Sequence, residues 1–272
     1  MSVWTCAILW VAMGLGGAAS ESPGSAAYRR ANGLFIAKKL PEAAAAVDEA
    51  LRLDPKLVPA LTLKAKLAMA AFRYDVATKC LEEALALAPR AAYAQFLYGM
   101  VAYLGNDLKD ALPRFQKARE LNPTDARAAL YLGLTVESLG QPAEALLLYE
   151  EAVRLARNSG DLNADLLLPG VRLLLLLDRL EDCERWIRQA AALSPISRDV
   201  HFESARLLLK KGEAAQAAAE GEKALGLSEG VVTDASIHYL LIRAYGQSGM
   251  PEKAAFHAAV MRTEETPVRR PH

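Results

Sequence analysis

Leu40-Pro41-Glu42-Ala43, followed by Glu49-Ala50-Leu51-Arg52-Leu53-Asp54-Pro55, returns as Tyr74-Asp75-Val76-Ala77 with Glu83-Ala84-Leu85-Ala86-Leu87-Ala88-Pro89. It returns again as Leu108-Lys109-Asp110-Ala111 with Lys117-Ala118-Arg119-Glu120-Leu121-Asn122-Pro123. The closing prolines at 55, 89 and 123 are 34 residues apart. Self-similarity at such a period marks a stack of supersecondary units, none able to bury its apolar face alone. The small residues Ala43, Ala77, Ala111 and Ala145 keep the same step, as do Ala50, Ala84, Ala118 and Ala152. The step lengthens to 38 at Cys183 and Ala190, which close at Pro195, returns to 34 at Ala217 and Ala224, and becomes 37 at Ala254. An upstream small site runs through Ala31, Ala65, Gly99, Gly133, Val171, Ala205 and Ile242.

Each unit reads as two helices. Ala126–Leu139 carries Ala126, Leu130, Gly133 and Leu134 at helical spacing and stops at Gly140. Pro142 then opens a second helix, where a missing N–H costs nothing, and Pro41 and Pro251 occupy the same place. No convincing period-two strand occurs. Two antiparallel helices approach closely only where side chains are short, and Val47, Leu81, Phe115, Tyr149 and Ile187 fill the layer beside those short residues. Seven units are visible.

This 34-residue helix–turn–helix, with Gly133, Tyr149, Ala145, Ala152 and the closing Pro55, Pro89 and Pro123, resembles the tetratricopeptide repeat family over roughly residues 24–262. The resemblance implies an all-α, right-handed superhelical solenoid whose first helices line a groove for extended peptides. Several places depart from the family pattern. Leu61, Gln95, Ala129, Leu167, His201 and His238 stand for its large first-helix aromatic, and Gly221 replaces a bulky residue. Pro169-Gly170 falls inside a first helix and is expected to kink it or mark its start. The expected organisation is four regular repeats over 24–157, a lengthened loop at 158–163, degenerate repeats over 164–262 and a disordered tail at 263–272.

Residues 1–20 carry no charged side chain, hold an apolar run from Val3 to Leu15, end in Gly16-Gly17-Ala18-Ala19-Ser20 and lead into Glu21-Ser22-Pro23. They read as a signal peptide and predict an exported, periplasmic or secreted chain. The alternative is an uncleaved membrane anchor over 3–19; otherwise no membrane contact is expected.

With 32 basic and 32 acidic residues the chain is formally neutral, which argues against a nucleic-acid binder held by phosphate contacts. Three cysteines are too few for a disulfide scaffold. His201, His238, His257 and His272 have no metal-ligand spacing, although His201 and His238 are read as equivalent positions of consecutive units. No phosphate loop, nucleophile elbow or dinucleotide fingerprint occurs outside the leader, so neither an enzyme nor a cofactor is expected.

Two patches on the first helices are candidate peptide contacts. Tyr93, Phe96, Met100 and Tyr103 recur at spacings of 3, 4 and 3 on one helical face, as an apolar anchor or as cover for the neighbouring helix. Arg172, Arg206 and Arg243 are separated by 34 and 37 residues, with Phe202 and Tyr239 one turn before the last two. Aligned, they would form a basic ladder suited to an acidic peptide, opposed in part by Asp165 and Asp199. The expected function is a non-catalytic scaffold for a protein or peptide partner. A structural subunit of an envelope or secretion-related assembly, or an accessory domain serving a separate enzyme, are the alternatives.

Overall fold

The structure, a computed structural model, describes residues 22–264. The expected signal peptide and nearly all of the expected tail lie outside them. Among the described residues there are fourteen α-helices and no strand, arranged as seven hairpins. The chain divides into two compact units, separated between Pro89 and Arg90.

The first unit holds α1 (Pro23–Ile36) and α2 (Leu40–Leu53), then α3 (Val58–Ala70) and α4 (Tyr74–Leu87). Ala31, Ala43, Ala50, Ala65, Ala77 and Ala84 are all fully buried, which is what close helix approach requires of them.

The second unit begins with α5 (Ala92–Leu104), α6 (Leu108–Leu121), α7 (Ala126–Ser138) and α8 (Pro142–Ser159). It continues with α9 (Ala164–Leu176), α10 (Leu180–Leu193), α11 (Arg198–Lys210), α12 (Ala214–Leu225), α13 (Asp234–Gln247) and α14 (Pro251–Glu264). Each second helix packs against the first helix of the next hairpin, so the apolar core is continuous through this unit. Four of its first helices, α7, α9, α11 and α13, start at side-chain caps: Asp125, Asn163, Ser197 and Thr233 accept hydrogen bonds from the N–H groups of Arg127, Leu166, Val200 and Ser236.

Four expectations change. The lengthening expected of a loop at 158–163 belongs instead to the helix before it: α8 has 18 residues, takes in Asn158 and Ser159, is capped by Gly160 in the left-handed region, and leaves four linking residues, 160–163. α8 still packs on α9, so the division into compact units falls at 89/90 and not at this link.

Pro169 neither starts nor ends α9, which runs from Ala164 to Leu176 across it and releases only the Asp165 carbonyl from its helical bond. Gly170 beside it is a packing residue. A Cβ there would lie 2.1 Å from Trp186 Cζ3, so only glycine lets the indole of α10 lie against α9.

The seventh hairpin is out of register with the sequence spacing. α11 begins at 198 and α13 at 234, a step of 36, whereas α12 and α14 begin 37 apart, at 214 and 251. α13 absorbs the difference with 14 residues where α11 has 13. The small-site position is therefore taken by Leu241, fully buried, and not by Ile242, while Ile237 and not His238 corresponds to His201.

The same shift accounts for Gly221. In α6 and α8 the equivalent places hold Phe115 and Tyr149, whose rings press on Gly99 and Gly133. At Gly221 a Cβ would meet Leu241 Cδ2 at 2.7 Å. The bulk has crossed from α12 to α13, leaving the joint filled.

Candidate functional site

The first helices of the second unit line three adjoining cavities. One of about 320 Å³ is bounded by Tyr103, Leu134, Glu137, Ser138, Pro169 and Arg172. Arg172 also borders the next, about 360 Å³, with Asp165, Leu168, Asp199, Phe202, Glu203, Arg206 and Ser236. Phe202, Arg206 and Ser236 pass on to the third, about 260 Å³, completed by Leu175, Leu209, Lys210, Tyr239, Leu240 and Arg243. Shared walls make the three a continuous groove across α5, α7, α9, α11 and α13. Its middle section has a further wall, Val231–Thr233, from the eight-residue link between α12 and α13. Asp199 holds that wall by accepting hydrogen bonds from the N–H groups of Val231 and Val232.

The two sequence patches fare differently. In the aromatic one, Phe96 is core, 4% exposed, with Phe115 at 5.8 Å and Tyr131 at 5.5 Å between ring centroids. Tyr93 lies over Phe96 at 6.3 Å and remains 38% exposed, and the Arg127 guanidinium sits 5.4 Å from the Phe96 ring. Met100 and Tyr103 are half-buried, and only Tyr103 lines the groove cavities described above. The stripe thus divides into core and lining and forms no open anchor around Phe96. Tyr131, which ties Phe96 to Tyr103, was not singled out because the period of the patch stops at α5.

The arginine ladder is rearranged. Phe202, Arg206, Tyr239 and Arg243 do surround one cavity, but Arg243 stands one helix position beyond the place equivalent to Arg206, for the register reason above. Arg172 borders the two neighbouring cavities instead. The opposing charge comes from Glu203, which spacing did not single out because it reads as a solvated helix residue. Its side chain is 5% exposed. Arg206 Nη1 donates to Glu203 Oε2 at 2.7 Å, and Arg172 Nε lies 3.8 Å from Oε1. Burial raises the Glu203 carboxyl above the usual carboxylate range despite both arginines. The third cavity is different: its charged lining, Arg206, Lys210 and Arg243, is wholly basic, although Lys210 pairs with Asp178 at 2.8 Å. Tyr239, 59% exposed, and half-buried Phe202 supply its rings.

Histidine placement also departs from the sequence spacing. His201 braces the sixth hairpin, with Nδ1 2.7 Å from Glu220 and Nε2 3.1 Å from the Pro195 carbonyl. His238 instead meets His257, Nδ1 to Nδ1 at 2.9 Å, both buried. His257 Nε2 faces Glu222 at 3.2 Å, and Tyr245 donates to the same oxygen at 2.9 Å. Burial lowers the His257 pKa. Among the described residues, no group of three or more His, Cys, Asp or Glu side chains could hold a metal ion, and no helix is long and apolar enough to cross a membrane. Cys183 is fully buried, its thiol pushed up to about 12 by desolvation.

A family model described as tetratricopeptide repeat matches residues 62–112 and 105–160. No curated protein matches the chain. Among solved structures, pilF of Pseudomonas aeruginosa is similar at 20% identity and a TM-score of 0.52, over 89% of this chain and 91% of that one. A tetratricopeptide repeat protein from Parabacteroides merdae is similar at 16% identity and 0.64, over 90% and 94%. YrrB, described as a TPR protein with an unusual peptide-binding site, is similar at 23% and 0.50, over 68% and 90%. The in-phase small residues, the fourteen-helix architecture and these matches agree: residues 62–160 carry tetratricopeptide repeats, and the described chain has the all-α repeat fold of tetratricopeptide repeat proteins.

Proposed function

We propose that this chain is an exported scaffold, without chemistry of its own, that holds an extended acidic segment of a partner protein in the groove of its second unit. The repeat fold suits protein–protein interaction in general. The observation that carries the finer reading is the third cavity, where Arg206, Lys210 and Arg243 converge beside Phe202 and Tyr239 with no acidic side chain in the lining. Guanidinium groups donate paired hydrogen bonds to carboxylates, and the rings take apolar side chains from the same segment. The described peptide-binding site of YrrB is consistent with this use of the fold.

Fluorescence anisotropy with matched acidic and basic peptides tests the reading. Acidic peptides should bind better, and raised salt should weaken them. Arg243→Ala should cost a few-fold to about thirtyfold in affinity, between the values of exposed and well-formed charge-assisted contacts. Equal binding of both peptide classes, unaffected by Arg243→Ala, overturns it.

A further inference from the structure

We propose that Glu203 is the specificity-determining residue of the groove: it sets how much positive charge the middle and third cavities offer to a carboxylate. The proposal rests on the groove reading above and deepens it. In α3, α5, α7 and α9 the position equivalent to Glu203 holds Leu63, Leu97, Tyr131 and Pro169. A carboxylate in that slot must be desolvated, and a buried ion pair adds little to stability that an apolar side chain would not. What Glu203 changes is the state of its partners. Ionised, it engages Arg206 at 2.7 Å and stands 3.8 Å from Arg172, cancelling one of the two positive charges that border the middle cavity. Neutral, it leaves both to an incoming ligand.

The charged and titratable groups acting on it are Arg172 from α9, Cys183 from α10, and Asp199 and Arg206 from α11 itself. Cys183 stays a neutral thiol, because burial pushes it up to about 12. The Asp199 carboxylate is committed to the N–H groups of Val231 and Val232. Of the acids that border the groove, among them Asp165 and Glu137, Glu203 is the one paired with both Arg172 and Arg206, so its state alters what these two offer. Burial raises its carboxyl above the ordinary range, so it takes up a proton at a pH where a ligand's exposed carboxylates are still ionised.

The test measures anisotropy of the full chain with one acidic and one basic peptide, from about pH 7.5 down to about 5, the upper edge of ordinary carboxylate titration. For the wild type, the acidic peptide should tighten as pH falls. Glu203→Gln, which keeps the shape, should bind that peptide about three- to tenfold tighter at the upper pH, and its affinity should lose the pH dependence. The basic peptide should weaken in the same variant. If acidic peptide binds both proteins equally, or Glu203→Gln weakens it, Glu203 is only a brace and the proposal fails while the groove reading stands. If neither protein binds any peptide at any pH, the groove reading falls and this proposal with it. The wild-type pH series answers the question without the variant: a flat profile for bound acidic peptide overturns the proposal.

Discussion

Returning the bulk across the joint between α12 and α13 probes how this stack is packed. Gly221→Leu places a side chain where a Cβ already comes within 2.7 Å of Leu241 Cδ2 and 3.1 Å of Leu240 Cδ2. Overpacking costs about 1–3 kcal/mol. The helix preference of leucine over glycine, roughly 0.8 kcal/mol, offsets part of it. Leu241→Ala alone empties a fully buried site and should cost about 2–5 kcal/mol. Combined, the two substitutions move the bulk from α13 to α12, so the space emptied by one receives the side chain added by the other. The double variant should therefore lose well under the sum of the singles, with a coupling of about 1–3 kcal/mol. Urea unfolding of the four proteins, followed by circular dichroism, gives the cycle. Losses that add to within about 0.5 kcal/mol would mean that Gly221 and Leu241 do not share one volume, and the account of the register shift would be wrong.

Phe72 has a φ of 57° and is 79% exposed; three of the corresponding turns use Gly140, Gly212 and Gly249, and the other three Lys38, Asn106 and Asp178. Phe72→Gly should raise stability by roughly 0.5–1 kcal/mol in thermal unfolding, and a fall would show that the ring supports the turn. His257 is held below its ordinary pKa, chiefly by burial, so its contribution is full above the unfolded value and lost as pH falls through the folded one. Protection factors of the α13 and α14 amides, taken against the intrinsic exchange rate at each pH, should accordingly fall below about pH 6, the ordinary histidine range, and unchanged protection would contradict the buried pair. Ala111→Trp should overpack α5 against α6 and cost about 1–3 kcal/mol or more, with exchange rising in α7 and α8 before α14. Mass spectrometry of the protein from its native host should find residues 1–19 or 1–20 removed; an intact Met1 in the cytosolic fraction would refute export.

The repeat was legible because close helix approach punishes large side chains, and that penalty recurs wherever Ala43, Ala77, Ala111 and Ala145 recur. Spacing along a chain counts residues, however, and a turn can absorb one without trace. That is why the 37-residue step of the second helices was carried over to the first, and why Arg243, His238 and Ile242 were each placed one position out. Glu203 escaped notice for another reason. A lone glutamate in a helix reads as solvated, and only the packing of α9 and α10 against α11 buries it. The groove could be located to its helices from the sequence, but its division into a mixed-charge and a wholly basic section depends on which neighbours share a wall.

Asp199, Phe202, Glu203, Arg206 and Leu209 all come from α11, within eleven consecutive residues. They pin the wall, supply a ring, carry the buried acid, present a guanidinium and close the third cavity. Much of the lining is thus written in one short word of the sequence, while the small residues that hold the stack are spread over the whole text. The two can drift separately. Changes at these five positions would revise what the groove accepts and spare Val200, Ala205 and Leu207, which hold the helix in the stack, and exchanging this single helix face is the smallest edit that would give the scaffold a different vocabulary.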